Sequence, residues 1–178
     1  MSEVFFISDL HFGHKKIVEF GKSTGTVYRS GDTWEENMHN IISKWNSVVT
    51  KRDKVFVLGD VAFGQEGFDA LSELQGSKTL VRGNHDDRFT TEQWLTHFDS
   101  VEGIVKYKNF WLTHAPLHPL ELRNKKNIHG HVHQFSIKNT YTNELDPNYI
   151  SVTCEALNET PISLTHILDG TYDAIRRC

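Results

Sequence analysis

The sequence predicts an α/β domain that contains a mixed β-sheet. Short apolar segments such as residues 55–58 have the length and composition of strands that are buried on both faces. Apolar residues at helical spacing follow two helix-start signals, at Asp32 and Thr33, and this pattern predicts a helix packed on the sheet. Residues 101–107 and 110–113 are separated by Lys108 and Asn109 alone, which predicts an antiparallel hairpin.

The remaining elements follow in chain order. A strand at residues 4–7 leads into one or two helical turns at residues 14–20. The helix that begins near Asp32 carries an apolar side composed of Trp34, Met38, Ile41, Ile42, Trp45, Val48 and Val49. Further helices are predicted over the apolar positions 68, 71 and 74, over residues 91–98, and over residues 162–168, and further strands over residues 79–81, 127–129 and 149–156.

Size and composition restrict the class of protein. The 178 residues suit one domain, residues 1–178, which is long enough to bury a substantial core. The net charge of −4 argues against tight binding of duplex nucleic acid, which requires a positive surface. The apolar segments are too short to span a bilayer, and the N-terminus lacks the basic region of a signal peptide, so we expect a cytoplasmic protein. Cys154 and Cys178 are expected to be free thiols.

Polar side chains follow the apolar segments in five places. The residues at these strand ends are Asp9 and His11, then Asp60, then Asn84, His85 and Asp86, then His114, and finally His131 and His133. Because ligands of α/β folds bind at the carboxyl ends of the strands, we expect these side chains to converge on one site. Oxygen and imidazole donors without cysteine suit hard to borderline divalent metals.

The order of these motifs resembles that of the calcineurin-like metallophosphoesterase superfamily. The motifs are Asp9-x-His11, Gly59-Asp60, Gly83-Asn84-His85-Asp86, His114 and Gly130-His131-x-His133. The resemblance covers residues 4–133 by motif, and residues 151–168 look like the closing strand and helix of small bacterial and phage members. It implies a four-layer α/β/β/α sandwich with two mixed sheets.

The resemblance also implies a site with two metal ions. One ion would be held by Asp9, His11, Asp60 and His133, and the other by Asp60, Asn84, His114 and His131. Asp60 would then bridge the two ions. Manganese is the expected metal, and iron, zinc and nickel also suit these ligands.

In this family a hydroxide between the metals attacks phosphorus, and the resemblance assigns the role of general acid to His85. Asp86 is a candidate for orienting His85, with a surface position as the alternative. His14, Arg82 and Arg123 are candidate substrate contacts, with surface, structural and solvated-loop roles as their respective alternatives.

Departures from the family pattern bear on the substrate. Residues 61–64, Val-Ala-Phe-Gly, replace the Asp-Arg-Gly that follows Gly-Asp in Ser/Thr protein phosphatases of the superfamily. The chain also has no room for the capping domain of the related DNA-repair nucleases, so we expect an open cleft. A small phosphodiester or nucleotide-like substrate is therefore predicted, with a phosphomonoesterase and a non-catalytic metal-binding scaffold as alternatives.

Overall fold

Two β-sheets form the centre of the structure, a computed structural model that describes residues 2–20 and 28–176. The strands are β1 (Val4–Ile7), β2 (Lys54–Val57), β3 (Ser77–Val81), β4 (Ser100–Glu102), β5 (Val105–Tyr107), β6 (Phe110–Thr113), β7 (Lys126–His129), β8 (Tyr149–Ser151) and β9 (Ile162–Ser163). The α-helices are α1 (Trp34–Val48), α2 (Gln65–Asp69), α3 (Thr91–Trp94), α4 (Leu164–Leu168) and α5 (Thr171–Ile175). Single 3₁₀ turns lie at Ile17–Glu19, Ala70–Glu73, Asp86–Arg88 and Pro119–Glu121.

The first sheet has the strand order β4-β3-β2-β1-β9. Strands β1 to β4 are parallel, and β9 pairs antiparallel with β1. The second sheet has the order β5-β6-β7-β8, with an antiparallel β5–β6 hairpin and parallel pairing from β6 to β8. Both sheets are therefore mixed, which confirms the predicted α/β class.

The two sheets pack face to face, and helices cover the first sheet on its outer side. Between the sheets, Phe6 stacks on Phe56 at 5.7 Å between ring centroids, and the same cluster contains Leu112 and Ile128 of the second sheet. On the outer side of the first sheet, Trp45 of α1 belongs to a second cluster formed with β1, β2 and the helices α2 and α3. The layers agree with the four-layer α/β/β/α sandwich.

The outer face of the second sheet is covered by residues 115–122. Trp111, Asn127 and Tyr149 are neighbours across β6, β7 and β8. The Trp111 indole donates to the Leu122 carbonyl at 3.2 Å, and the Tyr149 hydroxyl donates to the Leu117 carbonyl at 2.7 Å. These bonds give the polar atoms of the half-buried Trp111 and the buried Tyr149 a partner in the covering segment.

Helix α1 begins where the second of its two predicted start signals lies. The Thr33 hydroxyl accepts a hydrogen bond from the Glu36 amide at 3.2 Å, and the Glu36 carboxylate accepts one from the Asp32 amide at 2.8 Å. The first signal, Asp32, thus precedes the cap. These contacts satisfy backbone donors that have no partner within the helix.

Several predicted boundaries are wrong. Residues 101–107 do not form one strand, because the chain leaves the first sheet after Glu102 and enters the second at Val105. The helix predicted from Ile162 begins later, because Ile162 and Ser163 pair with β1 and the Ser163 hydroxyl then caps α4. Helix α3 ends at Trp94, four residues before the predicted end, and strand β8 ends at Ser151 rather than residue 156.

Two other expectations concern the whole chain. Among the described residues, each helix is too short or too polar to cross a bilayer. Cys154 is a buried free thiol, as predicted, whereas Cys178 lies outside the described residues.

The polar strand ends lie at one edge of the sandwich. Strands β1, β2 and β3 end there in the first sheet, and β6 and β7 end there in the second. The sheets are joined at this edge because the Ser8 amide donates to the Val152 carbonyl at 2.8 Å and the Cys154 amide donates to the Ser8 carbonyl at 3.1 Å. Residues from both sheets can therefore contribute to a single site.

Replacement of Leu112 by alanine should destabilise the protein by about 2–5 kcal/mol, because Leu112 is fully buried between the sheets and its loss leaves a cavity. Urea unfolding in the presence of a chelator measures this change. The matched control is Leu120→Ala, since Leu120 is 79% exposed. Equal effects of the two substitutions would contradict the assigned core.

Candidate metal centre

One group of candidate ligands consists of Asp9, His11 and His133. One donor atom from each lies within 4.8 Å of the others. Asp9 Oδ1 lies 3.7 Å from His11 Nε2 and 3.8 Å from His133 Nε2. The three side chains come from the ends of β1 and β7, one strand from each sheet.

A second group consists of Asp60, His114 and His131, again with donor atoms within 4.8 Å of one another. His114 Nε2 is its centre, at 3.4 Å from Asp60 Oδ2 and 3.1 Å from His131 Nδ1. Asn84 adds a fourth donor, because its Oδ1 lies 3.0 Å from His114 Nε2.

The Asp60 carboxylate lies between the two groups. Its Oδ2 is 3.4 Å from His114 Nε2 in the second group and 3.9 Å from His11 Nε2 in the first. Its Oδ1 accepts a hydrogen bond from the His85 amide at 2.9 Å. A carboxylate in this position can contribute to both groups at once.

Five of the candidate ligands have a left-handed backbone. Their φ angles are +59° at Asp9, +53° at His11, +54° at Asp60, +70° at His131 and +50° at His133. Such angles are uncommon for residues other than glycine, and each costs on the order of 1–3 kcal/mol. The tight turns that follow β1, β2 and β7 thus direct the side chains toward the same volume.

Two glycines allow the backbone to approach the carboxylates. A β-carbon at Gly83 would collide with the carboxylate and backbone of Asp60, and one at Gly130 would collide with Asp9 and Ser8. These contacts explain why glycine precedes Asn84 and His131 in the two motifs.

Hydrogen bonds fix the orientation of two imidazole rings. His114 Nδ1 lies 2.8 Å from the Leu58 carbonyl, so this nitrogen carries the proton in the neutral ring and Nε2 is left to bind. His133 Nδ1 lies 3.0 Å from Glu155 Oε1, which directs its Nε2 toward Asp9.

Unpartnered buried atoms indicate what the site can hold. Asp9 Oδ1 and His11 Nε2 are buried and make no hydrogen bond among the described residues. Such atoms cost free energy unless a cation or a donor meets them. A set of carboxylate, amide and imidazole donors without sulfur fits Mn²⁺, Fe²⁺, Zn²⁺ or Ni²⁺.

The electrostatics of the site also favour cations. Burial alone would raise the pKa of Asp9, but the adjacent His11 ring, 3.7 Å away, and the charges of the neighbouring histidines hold it well below its usual range. Burial would lower the pKa of His114, but the hydrogen bond with Asp60 and the charges of Asp9 and Asp60 raise it to about 9. The carboxylates therefore attract positive charge into this volume.

Residues 3–147 match the sequence profile of the calcineurin-like phosphoesterase superfamily domain. The chain belongs to this superfamily. Its members are metal-dependent phosphoesterases, and the two groups of candidate ligands agree with that chemistry.

Individual relatives cover most of the chain. The uncharacterized protein MJ1445 of Methanocaldococcus jannaschii is 28% identical over 94% of this chain and 90% of its own length. The gene 66 protein of Mycobacterium phage D29 is 30% identical over 89% of this chain and 91% of its own length. The crystal structure of AQ665 from Aquifex aeolicus, a protein of unknown function, matches with a TM-score of 0.69 at 24% identity, over 95% of this chain and 99% of the other. The structural match supports the fold.

Asp86 does not occupy either predicted position. It is completely buried, and its carboxylate accepts hydrogen bonds from the backbone amides of Asp60, Val61 and Gly83 at 2.7–2.9 Å. Both oxygens are used, so the surface position is wrong and no hydrogen bond to His85 is found. Asp86 instead holds the turn that carries Asp60 against the turn that carries Asn84.

His85 and His14 lie beside the first ligand group. The His85 ring is exposed, with its centroid 6.2 Å from His11 and 5.2 Å from Phe63. The His14 ring contacts Phe63 and Phe20, with centroids at 4.8 and 5.6 Å. His85 is thus placed to reach a group bound at the site, whereas His14 packs in an aromatic cluster at its border.

The two arginine candidates differ in position. Arg82 lines a cavity of about 540 Å³ together with Asn84 and His114, but its guanidinium donates to the Asp86 carbonyl at 2.7 Å. Arg123 is exposed, pairs with Glu121 at 3.3 Å and lines none of the cavities described beside the ligands. The structure does not bring Arg123 to the site.

Sequence reasoning missed Arg29 and Glu155, which support the first ligand group. Both are buried and paired at 2.8 Å, and the Arg29 guanidinium also donates to the carbonyls of Asp9 and Leu10. Glu155 could have been found, because it is a carboxylate within the segment predicted as a strand over residues 149–156. Arg29 lies outside any regular element and carries no comparable signal.

Replacement of Asp86 by asparagine should lower the free energy of unfolding by about 1–3 kcal/mol, because an amide N–H would then face backbone donors. The number of metal ions per chain should fall as well, because the Asp60 turn loses its support. Urea unfolding and elemental analysis measure the two effects. The control is Asp87→Asn, a change at an exposed neighbour, which should leave both values unchanged. If Asp86→Asn kept the wild-type stability and metal content, the structural role of Asp86 would be contradicted.

Proposed function

We propose that this protein hydrolyses phosphodiesters with two divalent cations bound at the candidate metal centre. The observation that carries the proposal is the position of the Asp60 carboxylate, within 3.9 Å of His11 Nε2 in one group and 3.4 Å of His114 Nε2 in the other. The proposed ligands of one cation are Asp9, His11, Asp60 and His133, and those of the other are Asp60, Asn84, His114 and His131.

Cations at these positions would lower the pKa of a water molecule and offset the negative charge of the phosphate. The chain's own residues then have distinct tasks. The Leu58 carbonyl and Glu155 orient the His114 and His133 rings, so that Nε2 of each faces the site. His85 donates a proton to the oxygen of the departing group, a role that imidazole suits near neutral pH.

The surrounding arginines favour a diester over a monoester. A phosphomonoester carries up to two negative charges and benefits from additional cations. Arg82 and Arg29 line the two cavities beside the ligands, yet both direct guanidinium groups to backbone carbonyls, and Arg29 is also paired with Glu155. A phosphodiester carries a single negative charge and therefore needs less additional positive charge from the arginines.

Other features of the proposal rest on the ligand chemistry and the sequence. Manganese is the proposed metal, with iron, zinc and nickel as alternatives that the same donors accommodate. The substrate is proposed to be a small phosphorylated molecule. A single domain over residues 1–178, a cytoplasmic location and the absence of duplex nucleic-acid binding stay predictions.

Metal-stripped protein should be inactive, and Mn²⁺ should restore hydrolysis of bis(p-nitrophenyl) phosphate at a higher kcat/KM than that of p-nitrophenyl phosphate. Activity should require Mn²⁺ because the candidate ligands are proposed to bind cations. The diester should react faster because its single negative charge suits the site. Release of p-nitrophenolate measures both rates. A faster monoester would favour a phosphomonoesterase, and bound metal without turnover would favour a scaffold.

The control for this experiment is Asp60→Asn. Because Asp60 is proposed to contact both cations, this variant should lose bound metal as well as activity. Two ions per chain in Asp60→Asn protein would contradict the shared ligand.

Replacement of His85 by alanine should lower kcat at least about 100-fold on diphenyl phosphate and less than about 10-fold on bis(p-nitrophenyl) phosphate. Phenolate is the poorer leaving group and needs the proton, whereas p-nitrophenolate leaves without it. Bound metal should equal that of the wild type. His39→Ala, at an exposed histidine of α1, serves as the control, and equal losses on the two esters would contradict the general-acid role.

A further inference from the structure

A second cavity of about 540 Å³ opens beside the first ligand group, next to His131 and His133. Its wall contains three aromatic side chains, Phe20, Tyr28 and Phe135. The cavity that Arg82 lines, on the side of the second ligand group, has no Phe, Tyr or Trp among its described lining residues. The aromatic side chains are therefore concentrated on one side of the metal centre.

Two of these aromatic rings are unusually exposed. Phe20 is 55% and Phe135 67% exposed, although large apolar side chains favour burial. Exposed aromatic surface that adjoins a catalytic site commonly marks a ligand-binding surface. Because Phe135 lies two residues after His133, the position of its ring is tied to the turn that carries two candidate ligands.

Charges in the cavity disfavour a second anionic group. The Arg29 guanidinium is already bonded to Glu155 and to backbone carbonyls. Glu155 Oε2 is buried and makes no hydrogen bond among the described residues, so the carboxylate places negative charge behind the cavity wall. A neutral group fits this wall better than a phosphate does.

We infer that this cavity binds the nucleoside of a nucleoside phosphodiester, with the base against the aromatic side chains. Base–aromatic stacking accommodates any base because each has a planar face. Gln134, which also lines the cavity, adds an amide that can pair with the edge of a base. The inference rests on the proposed phosphodiester hydrolysis and names its substrate class.

The geometry assigns the cavity to the ester group that stays on phosphorus. His85, the proposed donor to the departing oxygen, lies beside Phe63 and His11 and is not among the residues that line the cavity. The departing group therefore lies on the His85 side. When water adds to phosphorus and the P–O bond to the departing group breaks, the nucleoside monophosphate remains next to the aromatic wall.

The test compares two esters that have the same leaving group. Thymidine 5′-(p-nitrophenyl phosphate) and methyl p-nitrophenyl phosphate both release p-nitrophenolate and a proton, and they differ only in the retained group. Wild-type protein loaded with Mn²⁺ should show a kcat/KM at least about tenfold higher for the thymidine ester. In Phe135→Ala protein the ratio of the two kcat/KM values should fall about tenfold, or about 1.4 kcal/mol, mainly through the KM of the thymidine ester.

Tyr141→Ala is the matched control, because Tyr141 is an aromatic residue that is 96% exposed and lines none of the described cavities beside the site. It should keep the wild-type ratio. Binding of thymidine 5′-monophosphate, measured by calorimetry, supplies a readout that does not require turnover. The Kd should rise about tenfold in Phe135→Ala protein and stay unchanged in Tyr141→Ala protein.

The outcomes separate this inference from the proposed function. Equal wild-type rates on both esters, or a ratio that Phe135→Ala leaves unchanged, would overturn the nucleoside cavity while phosphodiester hydrolysis stands. Absence of turnover on both esters, together with nucleotide binding that is weakened by Phe135→Ala alone, would overturn the proposed hydrolysis and retain the cavity as a nucleotide-binding site.

Discussion

The buried carboxylate of Asp60 is the constraint on which the rest of the site depends. Asp60 is 2% exposed and lies at the end of a strand that is buried on both faces, where an unpaired charge costs several kcal/mol. The surrounding backbone stabilises it in part, because the His85 amide donates to Oδ1 and Gly83 leaves room for the close approach. The remaining oxygen faces histidines from both sheets. Cations bound here would satisfy all of these groups together and would offset the cost of the strained turns.

Support for the first ligand group extends to helix α1. Glu159 is buried and accepts hydrogen bonds from Ser30, Asn37 and Lys44, with distances of 2.6–2.7 Å. These bonds fix the segment that carries Arg29, whose guanidinium in turn contacts Glu155 and the Asp9 carbonyl. The candidate metal centre is therefore held from the helical layer as well as from the sheets. A charged network of this kind is costly to disrupt, because removal of one member leaves the others buried without a partner.

Sequence patterns predicted those features of the site that depend on short stretches of the chain. An apolar strand followed by Asp, Asn or His is visible in the sequence, and the topology brings such ends together, so the convergence of these side chains could be predicted. The role of Asp86 was not predicted. Its partners are backbone amides up to 26 residues away, and no local sequence pattern indicates such contacts. The same limit applies to β9: Ile162 and Ser163 follow Pro161 as a helix would, but pairing with β1 overrides that local preference.

The turn after β7 carries two candidate ligands and also lines the aromatic cavity. His131 and His133 both have a left-handed backbone, and the chain then turns so that the Phe135 amide donates to the Val132 carbonyl at 2.9 Å. Two histidines of this short segment belong to the ligand groups, and residues 131–135 all line the aromatic cavity. Because one turn carries both sets of residues, the backbone sets the distance between the candidate ligands and the cavity.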